Sequence, residues 1–182
     1  MELTTKRLVL QEYTTDDIEL FHAFRNDPAI NKYMNWNDLS IEESKKIFKE
    51  FFDDQKEVKR SFYSFKILLN TRPIGEVGMN LRGQGECGGI GVLGYYLLRP
   101  YWHKGYAYEA AQRVIQYGFE ELGLHKIAAF ANHKNKRSIK LMKRLGMKKE
   151  GKYKEEEYNQ RKGIWEDMVG YGLLKREWEK EK

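Results

Sequence analysis

The 182-residue chain holds a single cysteine, Cys87, and only three prolines. One cysteine closes no internal disulfide, and together with four scattered histidines it makes no spaced set of zinc ligands. A reducing cytoplasm is therefore the expected setting, with no metal. No repeat, low-complexity tract or Ser/Pro-rich linker divides the sequence. The longest uncharged stretch, Cys87 to Leu98, is rich in glycine and shorter than the roughly 20 apolar residues that cross a bilayer. The opening Met1-Glu-Leu-Thr-Thr-Lys-Arg7 lacks the apolar stretch of a signal peptide, so no membrane partner is expected.

What is present points to a packed domain. The chain is 41% hydrophobic, with nine Phe, four Trp and twelve Tyr, which excludes intrinsic disorder. Its length suits one domain over residues 1–182. Lys and Arg number 33 against 27 Asp and Glu, a net charge of +6. Most of that charge belongs on solvated surface. Its functional counterpart would be an anion: a phosphorylated cofactor, an acidic peptide or nucleic acid.

Periodicity gives the order of elements. Thr5 to Tyr13 alternates as a strand, and Thr14-Thr-Asp-Asp17 opens a helix that Pro28 closes. Ser40-Ile-Glu-Glu43 is a capping box before a helical stripe of Ile41, Lys45, Phe48, Phe51 and Phe52, running to about Val58. Ser61 to Leu69 and Ile74 to Leu81 make a hairpin around Asn70-Thr-Arg-Pro73, and a glycine-rich link leads to a strand at Ile90 to Leu98. Ala107 to Leu122 is a helix, Lys126 to Ala131 a strand, and Asn135 to Leu145 a basic amphipathic helix. Met147 to Tyr158 and Ile164 to Leu174 form a terminal hairpin. This is an α/β (α+β) pattern: a mixed sheet of about seven strands with helices on both faces.

Gly89-Ile-Gly91-Val-Leu-Gly94 spells the dinucleotide pattern G-x-G-x-x-G. That pattern binds pyrophosphate only between a strand and the mouth of a helix. Here it runs into a strand, so it reads as strand glycine instead. The better anion site follows at Trp102-His103-Lys104-Gly105-Tyr106-Ala107, where a strand, a short loop and a helix start present free N–H groups and the positive end of a dipole.

The run from Gly94 to Ala110 resembles the central motif of the GNAT family of acetyl-CoA-dependent N-acetyltransferases, whose loop reads Q/R-x-x-G-x-G/A. Asn132-His-Lys-Asn135-Lys-Arg-Ser138, leading to Lys143-Arg-Leu-Gly-Met147, resembles its second motif. Thr5-Lys-Arg-Leu-Val-Leu10, with Glu150-Gly151 before Trp165 and Asp167, is similar to the branch of ribosomal-protein alanine N-acetyltransferases. The resemblance implies the GNAT fold, with a mostly antiparallel sheet and two splayed central strands. It implies acetyl-CoA as cofactor, no metal and, for oligomerisation, at most a homodimer. Pantetheine would pair with the strand of Tyr95 and Leu97, where Gly91 and Gly94 would supply a distortion. The diphosphate would sit on the amides of His103, Lys104, Gly105, Tyr106 and Ala107, and Asn135 would bond pantetheine.

Chemistry adds two roles. An ammonium must lose a proton before it attacks a thioester, and the departing thiolate is helped by a donor. In many family members the donor is a Tyr seven residues after the motif Asn, which here is Met142. The ribosomal branch uses the motif Ser and a Glu nineteen residues onward, implying Ser138 as acid and Glu157 as base. Strand alternation places Glu155 beside Glu157, as the substitute base, and Glu156 opposite. Three positions depart from the family: Trp102 for Gln or Arg, His103 for a small residue, and Val92 where the branch often has Glu. Tyr33, Met34 and Trp36 lie where the family builds an acceptor wall, and Cys87, lacking a paired His, reads as a bystander. The expected acceptor is the N-terminal α-amine of a protein or peptide, with a polyamine or aminoglycoside as alternative. A non-enzymatic alternative is an RNA- or ribosome-binding module using Lys134, Lys136, Arg137, Lys140, Lys143 and Arg144, although no stable nucleic-acid complex is expected.

Overall fold

In the computed structural model, residues 1–34, 36, 38–83 and 88–180 are described. The N-terminal run is a hairpin rather than one strand: β1 (Glu2–Thr4) pairs antiparallel with β2 (Val9–Glu12). Its turn is closed by Thr5, whose N–H donates to Leu8 O and whose hydroxyl accepts from the Leu8 N–H, each at 2.9 Å. A hydroxyl closes this turn without the Gly or Pro that would announce it.

Asp17 accepts from the Thr14 N–H at 2.7 Å and opens a single 3-10 turn leading into α1 (Ile18–Arg25). Pro28 does more than stop that helix. Asp27 accepts from the N–H groups of Ala29 and Ile30, and Pro28 takes the first position of a short α2 (Pro28–Asn31). The Ser40–Glu43 capping box begins α3 (Ile41–Asp54), which ends before the expected Val58. Phe48 is buried and Phe51 and Phe52 half-buried on its inner face, while Lys45 turns outward to Glu42.

The remaining elements fall near their expected places: β3 (Phe62–Leu69), β4 (Arg72–Arg82), β5 (Ile90–Leu97), α4 (Tyr106–Glu120), β6 (Lys126–Asn132), α5 (Lys136–Arg144), β7 (Lys148–Asn159) and β8 (Ile164–Leu174). A final turn of helix, α6 (Lys175–Trp178), was not legible in the sequence. Eight strands form one sheet in the order β1-β2-β3-β4-β5-β6-β8-β7, mixed and mostly antiparallel. The eighth strand is β1, which precedes the strand expected from Thr5 to Tyr13, itself shortened to β2. Cys87 lies outside the described residues.

Two apolar layers hold helices on opposite faces. On one, Ala110, Ala111, Val114, Ile115 and Phe119 of α4 are buried against the sheet. Phe119 is 0% exposed, a site where truncation to Ala costs about 3–5 kcal/mol. On the other, Tyr13, Phe21 and Phe48 pack as a smaller cluster, with Tyr13 edge-on to Phe21 at 5.9 Å. Among the described residues, no helix is long and apolar enough to cross a membrane.

The site is positioned by the one parallel pairing. β5 and β6 bond only where Ile90–Val92 meets Lys126–Ala128. Beyond that, β6 stays with β8 over its whole length and β5 stays with β4, so the two strands part. The expected glycine distortion is not its cause, because the β4–β5 ladder runs without a register shift. A Cβ at Gly91 would lie 2.8 Å from both Leu124 Cδ1 and Met79 Sδ, so packing requires glycine there. Gly94 instead faces open space at the gap.

Candidate active site

The gap between β5 and β6 widens into a cleft of about 970 Å³. Its floor has free main-chain groups for a simple reason. Leu98 N–H donates to Ile74 O of β4, so alternate residues Tyr96 and Gly94 bond toward β4 as well. The amides of Tyr95 and Leu97, beyond the last pairing of Val92 with Ala128, therefore point across the gap, where β6 has withdrawn. An extended, amide-bearing chain laid there would pair as an added strand.

At one end of the cleft stands the start of α4. Gly105 takes φ +83° at its N-cap, a conformation that favours glycine. Among the described residues, no side chain caps this helix, so its first N–H groups are available to an anion. The loop before it is held from outside. Arg7 Nη1 donates to Lys104 O at 3.1 Å, its guanidinium lies over the Tyr106 ring at 4.5 Å, and its Nε donates to Glu109 at 2.7 Å. Burial works to raise the Glu109 carboxyl, but the hydrogen bonds from Thr5 and Arg7 outweigh it and hold it below its ordinary value. Trp102 does not replace the missing Gln or Arg as a donor to the anion. Its Nε1–H is spent on Leu97 O at 2.7 Å, and Arg137 stacks over its ring at 4.5 Å.

From α5, Arg137, Lys140 and Arg144 turn to the cleft, while Lys134, Lys136 and Lys143 face water. Asn135 caps this helix, its Oδ1 accepting from the Ser138 N–H at 3.2 Å, which leaves its NH₂ as the donor for a ligand. Ser138 lines the cleft, and its Oγ lies 2.9 Å from the Tyr95 hydroxyl. Met142, 0% exposed, is part of the core and faces no ligand.

Across the cleft, β7 brings up two carboxylates. Glu157 pairs in register with Glu166 of β8, but between Tyr153 and Glu157 the strand carries extra residues. Glu155 sits at φ +47°, its N–H donating to Asp167 Oδ1 at 3.0 Å. This bulge breaks the expected alternation: Glu156 and Glu157 both line the cleft, and Glu155 does not. Burial raises the half-buried Glu157 carboxyl above the ordinary range, and the Glu166 and Glu156 carboxylates raise it further. Burial pushes Glu166 up too, but Lys162 at 3.0 Å and Asn159 at 2.9 Å overcome this and keep it low, hence ionised.

The open end beside these carboxylates is lined by Tyr33, Met34 and Trp36. Trp36 Nε1–H is held by Asn31 Oδ1 at 3.0 Å and by Arg25 O at 3.2 Å. The buried Asn159 ties the β7–β8 turn to this wall, donating to Met34 O at 3.1 Å. That tether carried no motif in the sequence.

One cleft thus gathers Tyr95, Leu97, His103, Gly105, Tyr106, Ala107, Asn135, Ser138 and Glu157. Lys104 is the exception: its carbonyl is bound by Arg7, and it does not line the cleft itself, although its ammonium lies 5.7 Å over the ring of Tyr101, which does. Among the described residues, no group of three or more His, Cys, Asp or Glu is placed to hold a metal. Val92, where a carboxylate was expected from the branch, lines the cleft without one. The arrangement can seat a long polar chain and a phosphate, with a raised carboxyl and a hydroxyl at the far end.

A family model described as an acetyltransferase (GNAT) domain matches residues 7–148. The chain is 33% identical over 97% of both lengths to an uncharacterized N-acetyltransferase, p20, of Bacillus licheniformis. Among solved structures, ribosomal-protein-S5-alanine acetyltransferase from Vibrio fischeri superposes with a TM-score of 0.84 at 21% identity, covering 98% of each chain. Spermidine N-acetyltransferase from Vibrio cholerae, in complex with CoA and spermine, superposes with a TM-score of 0.81 at 20% identity, over 94% of this chain and 98% of that one.

Proposed function

The chain belongs to the GNAT family and is an acetyl-CoA-dependent N-acetyltransferase, and on that premise we propose that it acetylates the N-terminal α-amine of a protein or peptide, with Glu157 as base and Ser138 as acid. The residues of the cleft fit acetyl-CoA. The amides of Tyr95 and Leu97 suit pantetheine, the uncapped start of α4 at Gly105 to Ala107 suits the diphosphate, and Asn135 offers its NH₂ between them. Arg137, Lys140 and Arg144 supply cations for the remaining phosphate. Acetyl-CoA, when bound, supplies the acetyl group on a thioester.

The protein's part is to move protons and hold partners. An incoming ammonium gives its proton to Glu157, whose raised carboxyl is a stronger base than an exposed one. A gap-facing amide of β5 is placed to donate to the acyl oxygen. Ser138 Oγ–H donates toward the departing sulfur. Direct transfer of this kind requires both substrates in the cleft together.

The observation that carries the acceptor reading is the Glu156–Glu157 pair beside an open aromatic wall. Two carboxylates attract an ammonium, and the open end leaves room for a chain to trail outward. They stand in for the carboxylate missing at Val92. The same pair supports a second reading, a polyamine, because it makes the cleft locally acidic despite the +6 overall charge. The test follows CoA thiol release across N-terminal peptides, polyamines and aminoglycosides. Peptides bearing a free α-amine should give the highest kcat/KM; preference for a polyamine would replace the first reading with the second.

A further inference from the structure

Ser138 has one hydroxyl hydrogen, and its direction decides whether the serine can serve as an acid. A helical serine can turn that hydrogen back onto a carbonyl of the preceding turn, for Ser138 that of Asn135 at the start of α5, where it is lost to a ligand. The structure provides a means of preventing this from another element. Tyr95 reaches from β5 to α5 with its hydroxyl 2.9 Å from Ser138 Oγ and 3.3 Å from Ser138 O. Its ring packs against the main core, so the phenol is delivered to this point by the sheet.

We propose that Tyr95 is a positioning residue for the acid: its O–H donates to Ser138 Oγ, so that the serine's own hydrogen is directed into the cleft. The shorter of the two contacts is the one to Oγ. Burial pushes the Tyr95 phenol up to about 12, against a smaller lowering by its hydrogen bond with Ser138, so it stays protonated at neutral pH and has a hydrogen to donate. With the phenol donating, Ser138 Oγ has an acceptor site filled and its hydrogen left over. The opposite arrangement, Ser138 donating to Tyr95, would occupy that hydrogen and leave none for the sulfur. The inference rests on Ser138 being the acid.

Tyr95→Phe keeps the ring and removes the hydroxyl, so the fold should persist with an unchanged melting temperature. We expect kcat to fall about tenfold, the rate equivalent of one lost orienting hydrogen bond, with acetyl-CoA affinity within about twofold. In a Ser138→Ala background, Tyr95→Phe should cause no further fall, because a positioning residue has nothing left to position. An unchanged or faster Tyr95→Phe, beside a slow Ser138→Ala, would overturn the inference and leave the acid reading standing. So would two losses that multiply independently. An unchanged Ser138→Ala would overturn the acid assignment itself, and this inference with it.

Discussion

At the scale of single residues, the proposed base is defined by its neighbours. Glu157 is raised by burial, by the Glu166 carboxylate paired with it in register, and by Glu156. A base must be ionised to accept a proton, so the rate should rise with pH through a pKa above the ordinary carboxylate range. Glu156→Gln removes one negative neighbour and should move this acid limb to lower pH; a limb that stays in place would remove Glu156 from the site. Glu157→Gln should abolish the limb and cut kcat by about 10²–10⁴-fold, the usual contribution of such a group. Stability should respond with the opposite sign. A carboxyl raised by folding contributes stability that is full at low pH and lost as pH rises through its folded pKa. The melting temperature of Glu157→Gln at pH 7 should therefore hold or increase while activity falls.

At the scale of elements, the start of α4 shows both what the sequence discloses and what it hides. Gly105 between a strand and an amphipathic run was enough to place the uncapped helix start that we propose as the anion site, because chain geometry and dipole are local properties. What steadies the loop was illegible there: Arg7, Thr5 and Glu109 meet across about a hundred positions, with the Arg7 N–H and Nε both on Glu109 at 2.8 and 2.7 Å. Arg7→Met keeps much of the stem but frees the Lys104 carbonyl and the ring of Tyr106. It should weaken CoA binding by about three- to tenfold, as expected for losing one or two polar contacts, measured by calorimetry; unchanged affinity would mean the loop holds its shape unaided. The same contrast recurs along the chain. The Ser40–Glu43 box and the apolar face of α4 were readable because each lies within one or two turns. The β1–β2 turn was missed because a threonine hydroxyl closes it, and α2 was missed because Asp27 makes Pro28 a helix start as well as a stop. The bulge that turns Glu156 inward depends on Asp167 of the neighbouring strand, which also binds Lys152 at 2.9 Å. No alternation rule anticipates such a partner.

At the scale of the molecule, the cleft joins parts that reach it along separate routes. The end proposed for the cofactor is built by β5, α4 and α5, and the end proposed for the acceptor by the loop after α2 and the tip of the β7–β8 hairpin. Asn159 couples these last two: it is 2% exposed and donates both to Met34 O and to Glu166. Its Oδ1 also accepts from the Lys162 N–H at 3.0 Å, fixing the turn from within. Nearby, Arg161 pairs with Asp38 on the surface, where an exposed ion pair adds little. Asn159→Ala strands buried polar groups on both elements and should cost about 1–3 kcal/mol. Its kinetic effect should be one-sided, because the wall of Tyr33, Met34 and Trp36 moves while the start of α4 does not. The acceptor KM should rise several-fold with acetyl-CoA affinity unchanged, whereas Arg161→Ala should alter neither by more than about twofold. Steady-state kinetics above the Glu157 limb, paired with CoA calorimetry, separate the two ends. A parallel loss of acetyl-CoA affinity in Asn159→Ala would mean that the hairpin supports the cleft as a whole and not its acceptor end.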